Sequence, residues 1–419
     1  MQVYTAQHLL PIASPAVRDG AVAVDDGRIV HAGPRDEVLK SVPEQTPVHE
    51  LGPAVILPGL VNAHTHLELS WMGAESLPRG DYVEWLRAML DLRERADPKK
   101  AREAAEEALK SIVERGTVAV GDVGNEGWAA PVVARSPLHG ILFYELYGLR
   151  AGQAETMLKD AAERLQQISE DSDVSAAADR LCLALTPHAP HTTSVALLRA
   201  LAGRAAASGE PLSIHVAESP AEIALLADGT GPLADLYRER GFTDEGWQPP
   251  GRTPIEHLKR LGVLSSHTLA VHCVHLDKPD HSSLQAARAT VVACPRSNEF
   301  LGVGTAPVPA LMREGIPVAL GTDSLASSPD LDLFAEMASL RRDYPELSPA
   351  AVLRMATFNG ARALGLGERL GSIKPGKLAE LIVVPLPDES DDPLEWVCSE
   401  PERVYRLDEA SRELAGAAS

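Results

Sequence analysis

Eight short apolar runs, at 57–62, 117–122, 140–147, 181–187, 211–216, 267–272, 290–294 and 317–322, alternate with segments of helical character. The helical pieces are rich in Ala, Leu, Glu and Arg, as from Lys100 to Arg115 and from Ser194 to Ser208. Strands alternating with helices imply parallel pairing, because a parallel connection needs a crossover. Eight such strands within residues 57–369 predict an α/β chain folded as a (β/α)8 TIM barrel. In that fold the chemistry sits at the C-terminal ends of the strands, and several runs here stop at a histidine or an aspartate.

The two ends of the chain read differently. Ala21-Val22-Ala23-Val24 and Arg28-Ile29-Val30-His31-Ala32 flank Asp25-Asp26-Gly27, a hairpin signal. Near the other end, the turn-rich Gly371-Ser372-Ile373-Lys374-Pro375-Gly376-Lys377 precedes the buried-strand run Leu381-Ile382-Val383-Val384. Neither end has enough strands to be stable alone. Residues 1–56 and 370–419 are therefore expected to combine into one small β-sandwich domain beside the barrel of 57–369. Gly/Pro/Asp-rich pieces at 228–232 and 244–254 read as loops and candidate lid elements.

With aromatics at only 4%, the core must be built from Leu, Val, Ile and Ala. A net charge of −20 disfavours nucleic acid and anionic membranes as partners. Cys182, Cys273, Cys294 and Cys398 form no CxxC pair, which argues for a reduced setting rather than a disulfide framework. The start lacks a basic segment followed by a long apolar core, and no apolar stretch reaches the roughly 18 residues of a membrane span. A cytoplasmic protein is expected.

His64 and His66 end the first run, and residues i and i+2 of a strand point to one face. Further on come Thr186-Pro187-His188-Ala189-Pro190-His191, Ile214-His215-Val216-Ala217-Glu218, Ala270-Val271-His272-Cys273-Val274-His275 and Leu320-Gly321-Thr322-Asp323-Ser324. Polar residues at five strand ends predict a converging site of His64, His66, His215, His272 and Asp323. Three neutral imidazoles and a carboxylate suit Zn²⁺, with Fe²⁺ as the alternative and an open position for a water made acidic by the metal. Asp323 can bind the metal and accept that water's proton. Glu218 can shuttle a proton to a substrate ring nitrogen, and His272 can polarise the attacked centre. No lysine lies in Leu181 to Thr186, which argues against a lysine carbamate bridging two metals, so one metal is expected.

The chain at this point resembles the amidohydrolase superfamily. The motifs are Pro-Gly-Leu-Val-Asn-Ala-His-Thr-His (58–66), His-Val-Ala-Glu (215–218), Val-His-Cys-Val-His-Leu (271–276), Cys-Pro-Arg-Ser-Asn (294–298), Gly-Thr-Asp-Ser (321–324) and the turn at 371–377. The resemblance implies His64, His66, His215 and Asp323 as metal ligands, with Glu218 and His272 working on protons. The His-x-x-Glu on the fifth strand implies the branch that deaminates aromatic rings. Within it the chain is similar to deaminases of 5′-methylthioadenosine and S-adenosylhomocysteine. That similarity places His188 against the nucleoside and Glu84 against ribose hydroxyls. His-Thr-His-Leu-Glu-Leu-Ser (64–70) looks more like the aminodeoxyfutalosine deaminases of menaquinone synthesis. Their substrate carries a benzoate, for which Arg150, Arg87 and Arg296 are candidate partners. The alternatives are 5′-methylthioadenosine, S-adenosylhomocysteine or guanine deamination, and hydrolysis of a triazine-like ring. Dimers are common in the family, so a homodimer is admitted.

Plainer readings stand beside several of these. His191 fits a supporting or surface position better than a ligand. His275 could exchange roles with His272, which is favoured because the strand should end there. Glu68 fits a substrate contact or a structural hydrogen bond equally, and Glu84 alone would read as a helix-surface carboxylate. His8, His31 and His49 fall in the β-domain, and Cys273 and Cys294 read as small core residues. A non-catalytic scaffold on the same fold would typically lack the metal ligands, which are all present here.

Overall fold

The computed structural model describes residues 1–243, 247–387 and 392–414; residues 244–246 of the expected lid loop, and 388–391 and 415–419 of the expected β-domain, lie outside it. The strands are β1 (Gln2–Leu9), β2 (Val17–Asp25), β3 (Arg28–Pro34), β4 (Val48–Glu50), β5 (Ala54–Pro58), β6 (Leu60–Thr65), β7 (Thr117–Gly124) and β8 (His139–Leu146). After them come β9 (Leu181–Pro187), β10 (Leu212–Val216), β11 (Thr268–His272), β12 (Thr290–Ala293), β13 (Val318–Leu320), β14 (Leu381–Pro385) and β15 (Tyr405–Arg406). Two compact units emerge, Met1–Asn62 with Ser111–Ala119 and Asp332–Ser419, and Ala63–Lys110 with Val120–Leu331.

In the first unit the two ends of the chain share one sheet of order β15-β14-β5-β1-β2-β3, with β4 added beside β1. β14 runs antiparallel to β5, pairing Val383 with Ile56, and β5 runs parallel to β1. The β2–β3 hairpin turns through Asp26 (φ +47°) and Gly27 (φ +69°), the double left-handed turn that the Asp-Gly pair favours. Apolar residues of five strands pack together here, among them Leu9, Val22, Ile29, Ile56 and Val383.

The expected strand at 57–62 divides into two. β5 ends at Pro58, β6 begins at Leu60, and they join different sheets. Gly59 permits the break, because a Cβ there would lie 2.2 Å from Val118 Cγ1.

The remaining strands form two four-stranded sheets, β6-β7-β8-β9 and β10-β11-β12-β13. β8 pairs parallel with β9, and β10 through β13 are parallel throughout. Parallel strands are covered on both faces, and β10, β11 and β12 are accordingly buried from end to end. Two backbone contacts run between residues of these two segments: Thr65 bridges to Asp323, and His215 N–H donates to His188 O at 2.9 Å. Helices between the strands start at short polar caps. Ser194 caps Val195–Ser208, Ser219 caps Pro220–Asp228, and Asp277 closes a capping box on Lys278–Ala287. No helix among the described residues is long and apolar enough to cross a membrane.

Candidate metal centre and active site

β6, β10, β11 and the segment after β13 bring their polar ends to one place in the second unit. His66 Nε2 lies 3.1 Å from His64 Nε2 and 3.2 Å from His215 Nε2. Asp323 Oδ1 lies 3.6 Å from His66 Nε2 and 3.8 Å from His64 Nε2. Ligands about 2.0–2.1 Å from a tetrahedral Zn²⁺ would stand about 3.3 Å apart, close to these imidazole spacings. Burial and the neighbouring imidazoles hold His64 and His215 below the ordinary histidine range, so both present neutral rings. Neutral nitrogens turned toward one another at such distances suit a shared cation. His64, His66 and Asp323, and likewise His64, His215 and His272, are spaced to hold a metal ion.

The groups that hold these side chains are as telling as the side chains themselves. His215 Nδ1 is 2.9 Å from the main-chain oxygen of His188, which places its proton there and leaves Nε2 as the donor atom. Asp323 turns Oδ2 to two hydroxyls, Ser297 Oγ at 2.6 Å and Ser327 Oγ at 2.8 Å, leaving Oδ1 toward the imidazoles. Burial alone would raise the Asp323 carboxyl, but His66, His272 and the Ser297 hydrogen bond bring it below the ordinary range. His272 Nδ1 contacts Asn298 Oδ1 at 3.0 Å, while Nε2 lies 3.4 Å from Glu218 Oε1. Glu218 is buried, and burial pushes its carboxyl up to about 7. Such a group takes and gives a proton near neutrality.

The backbone is strained at the same places. Ala217 (φ +53°), His272 (+72°), Cys273 (+49°) and Asp323 (+58°) all adopt left-handed conformations at or within three residues of strand ends.

The other residues singled out in the sequence divide. His188 is half-buried beside His215, with ring centroids 4.9 Å apart and Nδ1 on Thr192 Oγ1 at 2.8 Å. His275 is engaged elsewhere, its Nε2 2.8 Å from Val303 O. Glu68 leaves the pattern because the chain enters a 3₁₀ turn at Leu67–Leu69. Its carboxylate accepts the amides of Asn125 (2.9 Å), Glu126 (3.0 Å) and Trp128 (2.6 Å). Glu84 is exposed in the first turn of the helix Tyr82–Arg93, 3.8 Å from Arg87 Nε. Arg87 is clamped on Glu239 at 2.6 and 2.7 Å, and Arg296 pairs with Asp330 through two contacts. Arg150 is exposed. Sequence reasoning passed over Ser297, Asn298, Ser327, Glu222 and Glu145 as functional groups, although Cys-Pro-Arg-Ser-Asn already contains two of them. Glu145 is buried 3.7 Å from His215 Nδ1, and burial pushes its carboxyl up to about 8.

Residues 55–406 match the profile of the amidohydrolase family. The chain belongs to that family. It is a hydrolase acting on carbon–nitrogen bonds. It is 35% identical to the aminodeoxyfutalosine deaminase of Deinococcus radiodurans over 356 residues, 83% of this chain and 81% of that one. It is 33% identical to the 5-methylthioadenosine/S-adenosylhomocysteine deaminase of Syntrophobacter fumaroxidans over 385 residues, 87% of this chain and 80% of that one. Among solved structures, the adenosine deaminase of Xanthomonas campestris with bound zinc superposes with a TM-score of 0.78. At 24% identity, with 99% of this chain and 98% of that one covered, that likeness speaks to the fold.

Proposed function

We propose that this amidohydrolase deaminates an adenine nucleoside, converting 6-amino-6-deoxyfutalosine to futalosine and ammonia as a step toward menaquinone. The observation that carries the reading is the pairing of Glu218 and His272 at 3.4 Å beside the imidazole cluster. It joins a proton carrier poised near pH 7 to a place where water can be activated. The kinship with the Deinococcus radiodurans protein supports the choice of substrate.

The donor set of His64, His66, His215 and Asp323 fits one divalent cation, Zn²⁺ foremost and Fe²⁺ as the alternative. When bound, such a cation supplies Lewis acidity and makes its water a nucleophile at neutral pH. Asp323 accepts a proton from the attacking water. Glu218 protonates the ring nitrogen adjacent to C6, so that negative charge does not build up on the ring as the C–O bond forms. His272, held by Asn298, hydrogen-bonds the attacking oxygen. The C6–N bond then breaks, and ammonia leaves with a proton delivered by Glu218 or Asp323. His188 and Glu84 receive the nucleoside portion. With Arg87 and Arg296 already paired to carboxylates, Arg150 is the candidate for a substrate carboxylate, while Glu68 and His275 support loops.

The same reading takes the eight strands β6–β13 as a closed barrel spanning 57–369, with 1–56 and 370–419 forming the composite β-sandwich domain. It also takes the protein as cytoplasmic, acting on a small molecule rather than nucleic acid or membrane, with a homodimer admitted.

The test is a deamination assay on zinc-loaded protein, following loss of the adenine chromophore. It compares aminodeoxyfutalosine, 5′-methylthioadenosine, S-adenosylhomocysteine, adenosine and guanine. A kcat/KM for aminodeoxyfutalosine about 100-fold above the rest, some 2.7 kcal/mol of transition-state preference, supports the reading. Comparable rates on the thioether nucleosides would make it a salvage deaminase, the reading that the Syntrophobacter fumaroxidans relative favours. No turnover of any purine would overturn ring deamination.

A further inference from the structure

The segment that presents Glu218 has no regular structure of its own. β10 ends at Val216, and the helix Pro220–Asp228 begins after its cap, Ser219. Glu222 occupies the third helical position, from which a capping-box carboxylate ordinarily reaches the amide of the cap residue itself. Here it reaches further back. Oε1 accepts the Ala217 amide at 3.0 Å, and Oε2 accepts the Glu218 amide at 2.8 Å. Glu222 is only 1% exposed, and the buried His191 stands beside it, Nδ1 3.8 Å from Oε1. Two amides on one buried carboxylate make a pair of charge-assisted hydrogen bonds.

The opposite side of the same turn is tied to β11. Ala217 O accepts the amides of Val274 and His275, both at 2.9 Å, and Val216 O accepts that of Cys273 at 3.1 Å. Ala217 and His272, the residues on either side of this junction, both hold left-handed backbones, uncommon for residues other than glycine. The turn carrying Glu218 and the turn carrying His272 are thus one hydrogen-bonded unit, and the Glu222 carboxylate is its anchor on the helix side.

We infer that Glu222 is a positioning residue: its two amide hydrogen bonds set the left-handed turn at Ala217 and so keep the Glu218 carboxyl against His272 Nε2. The inference rests on Glu218 being the proton carrier of the proposed reaction. Glu222 touches no reacting atom and acts through Glu218 alone.

The test uses the zinc-loaded protein with its best nucleoside substrate and compares Glu222→Gln, Glu222→Ala, Glu218→Gln and the double variant E218Q/E222Q. Glu222→Gln is nearly isosteric but offers one acceptor where two are needed. It is expected to lower kcat roughly 10- to 100-fold through misplacement of Glu218, with KM and the zinc-to-protein ratio unchanged. Because the two residues act as one device, E218Q/E222Q should turn over no more slowly than E218Q. If E218Q is too slow for that comparison, the crystal structure of E222Q decides. A Glu218 carboxyl withdrawn from His272 supports the inference, and an unmoved one with activity lost overturns it. Should Glu222→Ala not fold, E222Q carries the whole test. Wild-type kcat in E222Q beside an impaired E218Q overturns the inference alone. Multiplying losses, or zinc lost from E222Q, overturn it as well. Full activity in E218Q removes the proton-carrier reading beneath it.

Discussion

His215 donates from Nδ1 to the main-chain oxygen of His188 across 2.9 Å, so one histidine orients another through its backbone, not its ring. The His188 side chain is separate from this duty and bonds Thr192 instead. His188→Ala should therefore keep its metal, because the carbonyl remains, while KM for the nucleoside rises roughly 3- to 10-fold from one lost hydrogen bond. Metal analysis beside steady-state kinetics checks this. Loss of metal in His188→Ala would show that the ring is needed for more than substrate.

Ser297 and Ser327 should behave in the opposite way. Their hydroxyls hold Asp323 Oδ2 and never reach the substrate in the proposed reaction. Ser297→Ala and Ser327→Ala are each expected to weaken metal binding about 10- to 100-fold, with kcat at saturating metal far less affected. Competition with a chromophoric chelator measures the first quantity. An unchanged affinity in the double variant would mean that Asp323 needs no such support.

Glu145 should contribute more to the stability of the metal-free protein in acid than in mild base. Its carboxyl sits at about 8 in the fold, against 4.5 as the ordinary value. Between those values the unfolded chain has released the proton and the folded one still holds it. Stability therefore falls as pH rises, by about 1.4 kcal/mol per pH unit at this site, and levels off above the folded value. Glu145→Gln has no such proton to lose. The advantage in Tm of E145Q over the unaltered protein should grow from pH 5 to pH 8, and a constant difference would place Glu145 ionised in the fold.

Glu68→Ala should cost stability and leave substrate preference alone. Removing a carboxylate that gathers three amides from 125–128 is expected to destabilise by about 1–3 kcal/mol. The ratio of kcat/KM between any two nucleosides should stay the same. A changed ratio at unchanged Tm would return Glu68 to the substrate.

The convergence of His64, His66, His215, His272 and Asp323 was legible because a strand announces itself twice, as an apolar run and as a point where that run stops. The two histidines also share a face by simple period-two geometry. That rule failed two residues later, at Glu68, because it assumes the strand continues, and here a 3₁₀ turn intervenes. The apolar run around 57–62 hid the passage between two sheets because β5 and β6 are both buried, and only Gly59 marks the break. Ion pairs were invisible for another reason. Arg87 and Glu239 stand 152 positions apart, so no local pattern could show that Arg87 is already paired. Glu222 carried a misleading signal: Ser219-x-x-Glu222 spells an ordinary helix cap, whereas in the fold its carboxylate takes the amides of Ala217 and Glu218.

The left-handed backbones at Ala217, His272, Cys273 and Asp323 bear on how this enzyme can be altered. Each costs on the order of 1–3 kcal/mol, and a folded domain is stable by only about 5–15 kcal/mol. The four residues together draw on a sizeable part of the margin that tolerates mutation elsewhere. Glycine at Ala217 would relieve the local cost and yet loosen the turn that aims Glu218. Stabilising changes placed far from these turns would widen the range of active-site variants able to fold, so a hardened scaffold is the natural parent for redirecting this site toward other rings.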